Sequence, residues 1–394
     1  MMLSSDIFSF SIPQNIVVGE GSLGRLPKLA KELHRKKGYI ISGPHLRRIG
    51  MVDRCRLALA KEGMESEAFT ETEGNPGTET VEKAAEGFRK SGADFIVAIG
   101  GGSPLDVAKA VAVVAVFGGK ITDYEGQGKV PGPVVPMIAI PTTAGTGSEV
   151  TAFSVITDHS RNYKLTVVSN YLLPAYAILD PELITSVPKR TAAACGVDAM
   201  VHALEAYTSL AASPFSDMFA LKALALIGGN IRAYVANRSN KKAAEAMLIG
   251  SLFAGIAFSH ARLGDVHAMS HPVSAYFDVA HGVANAILLP VIVEYNALAD
   301  QGKYYDIYRC IAECPAEVKD FSSEMLAEEL VKLNEKLGIP VSLKEVGVKE
   351  ELFDAMAIDA MKSGNITVNP RMTEIEDVIC LLYTSDAADD LIGV

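Results

Sequence analysis

The stretch GDVHAMSHPVSAYFDVAHG, residues 264–282, carries His267, His271 and His281, three of the chain's eight histidines. Upstream, in AACGVDAMVHALEAYTS, Asp198 and His202 stand four residues apart on a strongly helical stretch and so share one helix face. His267 and His271 repeat that spacing. A carboxylate and a histidine so spaced usually make no more than a surface contact. Around Asp198 and His202, however, the neighbours are Ala, Met, Val and Leu, and burying ionisable groups without partners is costly. A bound cation removes that cost. One carboxylate oxygen and three imidazoles, from Asp198, His202, His267 and His281, suit a divalent first-row metal, whereas an all-oxygen Ca2+ or Mg2+ site does not select histidine. His271 is then a spare ionisable group one turn from a ligand, placed to relay a proton.

Two glycine-rich turns compete as phosphate sites. Gly19, Gly21 and Gly24 in VVGEGSLGRL match G-x-G-x-x-G, but the acid expected about twenty residues later is missing, since YIISG ends in Ser42 and Gly43. A structural turn is the better reading there. In DFIVAIGGGSPLDVAKA, Gly100, Gly101, Gly102 and Ser103 follow a strand, and Pro104 opens a helix whose free N–H groups can face a pyrophosphate. A third loop, PTTAGTGSEVT at 141–151, gathers hydroxyls and glycines directly after the strand VPMIAI. Both loops belong at the carboxyl edge of a sheet, where ligands of open α/β sheets bind.

The elements that must position these groups fall into two halves. Before residue 187, short β-branched runs (QNIVV, GYIIS, DFIVAI, VPMIAI) alternate with helical patterns, which implies a doubly wound parallel sheet. Beyond it, Ala- and Leu-rich amphipathic stretches follow one another with few strand signals. The expected architecture is an α/β nucleotide-binding domain over 1–187 and an all-α domain over 188–394, with SVPKRT as the boundary. The chain has 394 residues, 49% of them hydrophobic, enough for two cores. A net charge of −11 and the lack of any Lys/Arg-rich run argue against nucleic acid. No run approaches the ~18 consecutive apolar residues of a membrane span, and MMLSSDIFSFSIP lacks the plan of a signal peptide, so a cytoplasmic location is expected. Five cysteines without framework spacing fit a reducing compartment, with Cys310 and Cys314 read as buried thiols.

Taken together, GGGSPLDVAKA, PTTAGTGSEVT, the Asp198–His202 pair and HAMSHPVSAYFDVAHGVANAILLP resemble, in order and spacing, the iron-containing (group III) alcohol dehydrogenase family. The resemblance runs from about residue 8 to 379. It implies a dehydroquinate synthase-like architecture, a dinucleotide-binding α/β domain followed by a helical domain, with a catalytic Fe2+ or Zn2+ in the cleft between them. The metal ligands then fall on Asp198, His202, His267 and His281, and an additional active-site histidine on His271. The pyrophosphate loop falls on Gly100 to Ser103 with Asp106, a nicotinamide-side loop on Thr142, Thr143 and Ser148, and a cofactor-contacting lysine on Lys164. Phe153 and Phe258 match positions lining the substrate pocket. The implied reaction passes hydride between a nicotinamide cofactor and a small primary alcohol, diol or aldehyde, in a homodimer or larger homo-oligomer.

Two departures from that pattern matter. Many members end the second strand with an aspartate that repels a 2′-phosphate; here Ser42-Gly43-Pro44 stands there, with His45, Arg47 and Arg48 beyond, so NADP(H) is expected to be accepted and slightly preferred over NAD(H). The tail CLLYTSDAADD resembles one reading frame of a transposon-end sequencing adapter. Residues 380–394 are accordingly read as non-native, and deletion of Leu382 onward is expected to change neither activity nor melting temperature. The alternatives are a glycerol dehydrogenase-like or other sister activity, which the Asp/His/His/His set disfavours, and a metal-dependent hydrolase, which leaves the triple-glycine loop without purpose. A non-catalytic binding protein fits poorly with the spare His271.

Overall fold

A computed structural model describes residues 8, 10–12, 14–161 and 163–387. Two compact units are present, one running Ile12–Ser186 and the other from Val187 onward.

In the first unit the elements are β1 (Asn15–Val18), α1 (Leu26–Glu32), β2 (Lys37–Ile41), α2 (Pro44–Arg48), α3 (Met51–Lys61), β3 (Glu65–Phe69), α4 (Thr78–Ser91), β4 (Phe95–Gly100), α5 (Gly102–Phe117), β5 (Gly126–Gln127), β6 (Met137–Pro141), β7 (Phe153–Asp158), β8 (Tyr163–Val168) and β9 (Tyr176–Leu179). Six strands form an all-parallel sheet in the order β1-β9-β6-β4-β2-β3. The central strands FIVAIG and MIAIP are buried at every position, as both faces of a parallel sheet require. One face is covered by α4 and α5 through Val81, Ala84, Phe88, Val107 and Val111, the other by α1 and α3 through Leu26, Leu29, Cys55 and Leu59. At the edge, ESEAF of β3 is charged, which discourages pairing with another chain. A small sheet, β5-β8-β7, was not foreseen; its β7–β8 pair is antiparallel.

The sheet determines where the loops emerge. Gly100 at the end of β4 lies in register with Pro141 at the end of β6, and Thr142 N–H donates to Gly100 C=O at 2.8 Å. The triple-glycine and hydroxyl loops therefore leave adjacent strand ends together. The earlier glycine motif is a structural turn: its Gly21 and Leu23 N–H groups donate to the Asp180 carboxylate at 3.2 and 3.0 Å, so the protein's own anion takes them.

The second unit is helical: α6 (Lys189–Thr208), α7 (Pro214–Gly228), α8 (Ile231–Ala236), α9 (Lys241–Ala261), α10 (Asp265–Phe277), α11 (His281–Asn296), α12 (Lys303–Ile311), α13 (Ser323–Leu337), α14 (Phe353–Met361) and α15 (Ile375–Asp386). Helix α6 packs against α7, α9 and α11, and α10 against α11 and α14. Both α9 and the stretch His281–Ala299 are long and apolar enough to cross a membrane, but most of the apolar window in each is buried, as in core helices. Phe10 stacks on Phe215 and Phe219 of α7, so the chain just ahead of Ile12 packs with this unit, unlike the expected division at 187, because its aromatic rings find cover there.

Two expectations are corrected. Cys314 is exposed beyond the end of α12 and Cys310 only half-buried, since α12 stops at Ile311. Among the described residues neither belongs to a metal-ligand group. The tail is also structured further than expected. Helix α15 runs to Asp386 and buries Leu381 and Leu382, while Tyr383 meets Phe353 edge-on at 4.9 Å. Residues 388–394 lie outside the described part. Loss of a buried leucine costs about 2–5 kcal/mol. Removal of Leu382 onward should therefore lower the melting temperature by on the order of 10 °C in a calorimetric scan; an unchanged transition contradicts this packing.

Candidate functional site

Helix α6 supplies Asp198 and His202 on one face, α10 supplies His267 and His271, and His281 opens α11. Gly282 lets α11 start close to α6, because a Cβ there would lie 2.3 Å from the Ala194 carbonyl and 3.3 Å from Asp198 Cβ. The result is convergence. Asp198 Oδ1 lies 3.9 Å from His202 Nε2, 3.9 Å from His267 Nε2 and 3.8 Å from His281 Nε2. Asp198, His267 and His281 each present a ligand atom within 4.8 Å of the other two. His202 joins them through a ring stack on His267, with centroids 4.6 Å apart.

This arrangement fits a cation. Ligands about 2.1 Å from a shared metal lie roughly 3–4 Å from one another. The Asp198 and His267 side chains are only 4% and 2% exposed, so water does not solvate them. Burial, reinforced by His202, holds the His267 imidazole well below its ordinary range; it is neutral, the metal-binding form. His202 Nδ1 is buried without a hydrogen-bond partner. Asn285 Nδ2 reaches Asp198 Oδ1 at 2.7 Å, His267 Nε2 at 3.2 Å and His281 Nε2 at 3.3 Å. Two amide protons cannot satisfy three acceptors, whereas a divalent ion can.

The expected spare histidine stands beside this set. The His271 ring stacks on His281 at 5.3 Å and meets His267 edge-on at 6.1 Å. Phe258 stacks on His202 at 4.5 Å. Phe153 lies in the α/β unit as the first residue of β7. There the glycine loop packs beneath the hydroxyl loop: a Cβ on Gly101 would sit 3.2 Å from Thr143 Oγ1, and one on Gly102 2.7 Å from Thr146 Cγ2. Asp106 and Ser148 are joined to each other, the Ser148 hydroxyl donating to Asp106 Oδ1 at 2.6 Å. Lys164 Nζ donates to Asn75 Oδ1 at 3.0 Å.

Sequence reasoning missed Glu205 and Asn285. Glu205 Oε2 lies 2.5 Å from His267 Nδ1, and its Oε1 accepts from Val266 N–H at 2.7 Å. Burial pushes this carboxyl up to about 7. Holding the proton between Oε2 and Nδ1 leaves Nε2 as a lone pair facing Asp198. The signal was available: Glu205 is three residues beyond His202 on the same face of α6, and Asn285 four beyond His281.

Known proteins carry the same plan. Residues 13–181 match the family model described as iron-containing alcohol dehydrogenase, and residues 192–385 the C-terminal model of the Fe-containing alcohol dehydrogenase family. The chain belongs to the iron-containing alcohol dehydrogenase family. It is an enzyme of alcohol and aldehyde oxidoreduction. The 1,3-propanediol dehydrogenase of Citrobacter freundii is 40% identical over 376 residues, 94% of this chain and 96% of that one. The NAD-dependent methanol dehydrogenase of Bacillus methanolicus is 35% identical over 374 residues, 94% of this chain and 97% of that one. A crystal structure of 1,3-propanediol oxidoreductase superposes with a TM-score of 0.92 at 36% identity, covering 96% of this chain and all of the other.

Replacement of a carboxylate that orients a metal-bound histidine typically weakens metal affinity about 10–100-fold. Glu205→Gln should show that loss in a competition titration against a chelator, with the helical circular dichroism retained. Wild-type affinity in this variant contradicts the role given to Glu205.

Proposed function

We propose that this iron-containing alcohol dehydrogenase passes hydride between a nicotinamide cofactor and a small primary alcohol, diol or aldehyde at a divalent metal held by Asp198, His202, His267 and His281. Iron is favoured over zinc by the family, and the three-nitrogen, one-oxygen set accommodates either. The observation that carries the reading is the approach of three imidazole Nε2 atoms to within 3.8–3.9 Å of one buried carboxylate oxygen. Bound there, the metal supplies Lewis acidity that raises an alcohol's acidity or polarises a carbonyl. The protein's own groups do the rest. Glu205 and Asn285 fix the orientation of His267 and Asp198, the apolar helices exclude water, and half-buried His271 passes the substrate proton to or from solvent. Phe258, stacked on the His202 ring, shapes the space beside the metal for a small substrate.

For the cofactor, Gly100 to Ser103 at the start of α5 offer backbone N–H groups to the pyrophosphate, the loop of Thr142, Thr143 and Ser148 lies on the nicotinamide side, and Lys164 contacts the cofactor. Asp106 and Ser148 serve this site by holding the loops. Adenosine-side specificity follows from the end of β2. Ser42 is fully buried and donates its hydroxyl to Ile99 C=O, so it neither binds a ribose nor repels a phosphate. His45, Arg47 and Arg48 are exposed on α2, with Arg47 donating to Thr70 Oγ1 at 3.3 Å. These cations favour NADP(H), slightly, beside the NAD(H) use that the name of the Bacillus methanolicus relative records.

The test is the loss of reduced-cofactor absorbance with propanal and NADPH or NADH, run anaerobically on protein loaded separately with Fe2+ and Zn2+. Metal-dependent oxidation of the cofactor, lost in His267→Ala, is the expected result, with kcat/KM higher for NADPH. Failure to oxidise either cofactor across an aldehyde panel, despite bound metal, contradicts the proposed substrate class and turns the reading towards the sister activities of the superfamily; a strong preference for NADH contradicts only the NADP(H) assignment.

A further inference from the structure

Helix α10, which carries His267 and His271, begins without a cap of its own. Its N-cap residue is Gly264, which has no side chain to offer, and the first four N–H groups of an α-helix find no partner within it. The Glu205 carboxylate faces three of these groups, those of Gly264, Val266 and His267. The fourth, Asp265 N–H, donates to Asn369 Oδ1 at 3.3 Å, from a segment 104 residues further along the chain. Only glycine fits at this crossing, because a Cβ on Gly264 would lie 2.9 Å from Asn369 Oδ1 and 3.1 Å from Glu205 Oε1.

Asn369 belongs to the stretch 368–373 between α14 and α15, and this stretch is tied to all three helices that carry the Asp198 and histidine set. Leu210 N–H, just past the end of α6, donates to Val368 C=O at 2.8 Å. Asn296, the last residue of α11, exchanges amide hydrogen bonds with Asn369, at 2.8 Å to Asn296 Oδ1 and 3.1 Å to Asn369 Oδ1. Arg371 donates to Tyr295 C=O at 2.7 Å and lies over the Tyr295 ring. Thr373 Oγ1 donates to Asp265 Oδ2 at 2.6 Å, a second tie to the start of α10. The Asn369 amide also donates to Arg371 C=O at 2.8 Å, so both of its protons and both of its acceptor positions are used in a buried setting.

From this geometry we infer that Asn369 is a positioning residue for the metal centre: it caps α10 from outside, joins that helix to the end of α11 and so sets where His267 stands opposite Asp198. The inference rests on the reading of Asp198, His202, His267 and His281 as that centre. The hydrogen bonds of Asn369 reach none of these four residues; it acts through the helix. The lever is short, since Asp265 is two residues from His267, and His271 rides one turn further on the same helix. A buried asparagine with a purely structural role lowers stability when replaced but leaves the metal affinity of the folded protein unchanged.

The experiment measures Fe2+ affinity, anaerobically and by competition with a chromophoric chelator, in wild-type, Asn369→Leu and Thr373→Val protein at a temperature well below each variant's own melting transition. Thr373→Val removes one tie to α10 with little change in volume and keeps the test available if Asn369→Leu does not fold. Tyr304→Phe, which loses a buried hydrogen bond to Val293 C=O, controls for lost stability alone. The expected result is a rise in the Kd for Fe2+ of about tenfold or more in Asn369→Leu and about threefold or more in Thr373→Val, with no change in Tyr304→Phe. At saturating metal, kcat falls in Asn369→Leu because His271 shifts with α10, while KM for cofactor stays at the wild-type value. A lowered melting temperature with wild-type Fe2+ affinity in whichever of the two α10 variants fold overturns the inference and leaves the metal-site reading standing. Fe2+ affinity that is unchanged in His267→Ala overturns the metal-site reading, and this inference with it.

Discussion

Three imidazole nitrogens facing one carboxylate oxygen inside a body of alanine, leucine and valine are the constraint on which the helical unit depends. Asp198, His202 and His267 are almost fully shielded from water, and a charge or lone pair in that setting is costly unless something of opposite sign meets it. The surrounding features serve that meeting. Gly282 allows α11 to start against α6, Glu205 takes the far side of the His267 ring, and Asn285 reaches Asp198 from α11. Beneath them, Asp265 is fully buried at the start of α10, accepts from Thr373 Oγ1 at 2.6 Å and is pushed up to about 7 by burial. The acidic layer behind the histidines is thus kept in place by backbone N–H groups and hydroxyls, with no buried cationic side chain among those hydrogen bonds.

The α/β unit solves a different problem by different means. Its ligand-facing surface is two loops that leave adjacent parallel strands, and such loops have no ladder of their own to hold them. Close packing of Thr143 and Thr146 on glycines supplies part of the order. Buried polar groups supply the remainder, above all the Asp106, Ser148 and Lys109 network on the first turns of α5. Polar networks of this kind rigidify a site when every member is satisfied, as these are.

Much of this was legible in the sequence because the relevant signals are local and periodic. The spacing of Asp198 and His202 reads directly as a shared helix face, and the fully apolar FIVAI and MIAI read as central parallel strands. What escaped was either non-local or weakly patterned. Glu205 looks like any surface glutamate until α10 lies across it, and Lys109 like a solvated lysine until the 148–153 segment closes over it. The short strands β5, β7 and β8 carry mixed polar and apolar residues, so nothing but their pairing reveals them. The tail misled for the opposite reason: its resemblance to an adapter sequence hid the helical spacing of Val378, Leu381 and Leu382, which suffices to bury them. Composition likewise could not tell that α12 ends before Cys314 and leaves that thiol in water.

The account stands or falls on the occupancy of the histidine cluster. The most direct measurement is anomalous diffraction at the iron absorption edge from crystals of the Fe2+-loaded protein, collected in parallel on His267→Ala. The account predicts a single strong peak in contact with Asp198 Oδ1 and the Nε2 atoms of His202, His267 and His281, absent from the variant. Iron bound elsewhere, or a cluster still bridged by the Asn285 amide with no peak between its rings, contradicts it.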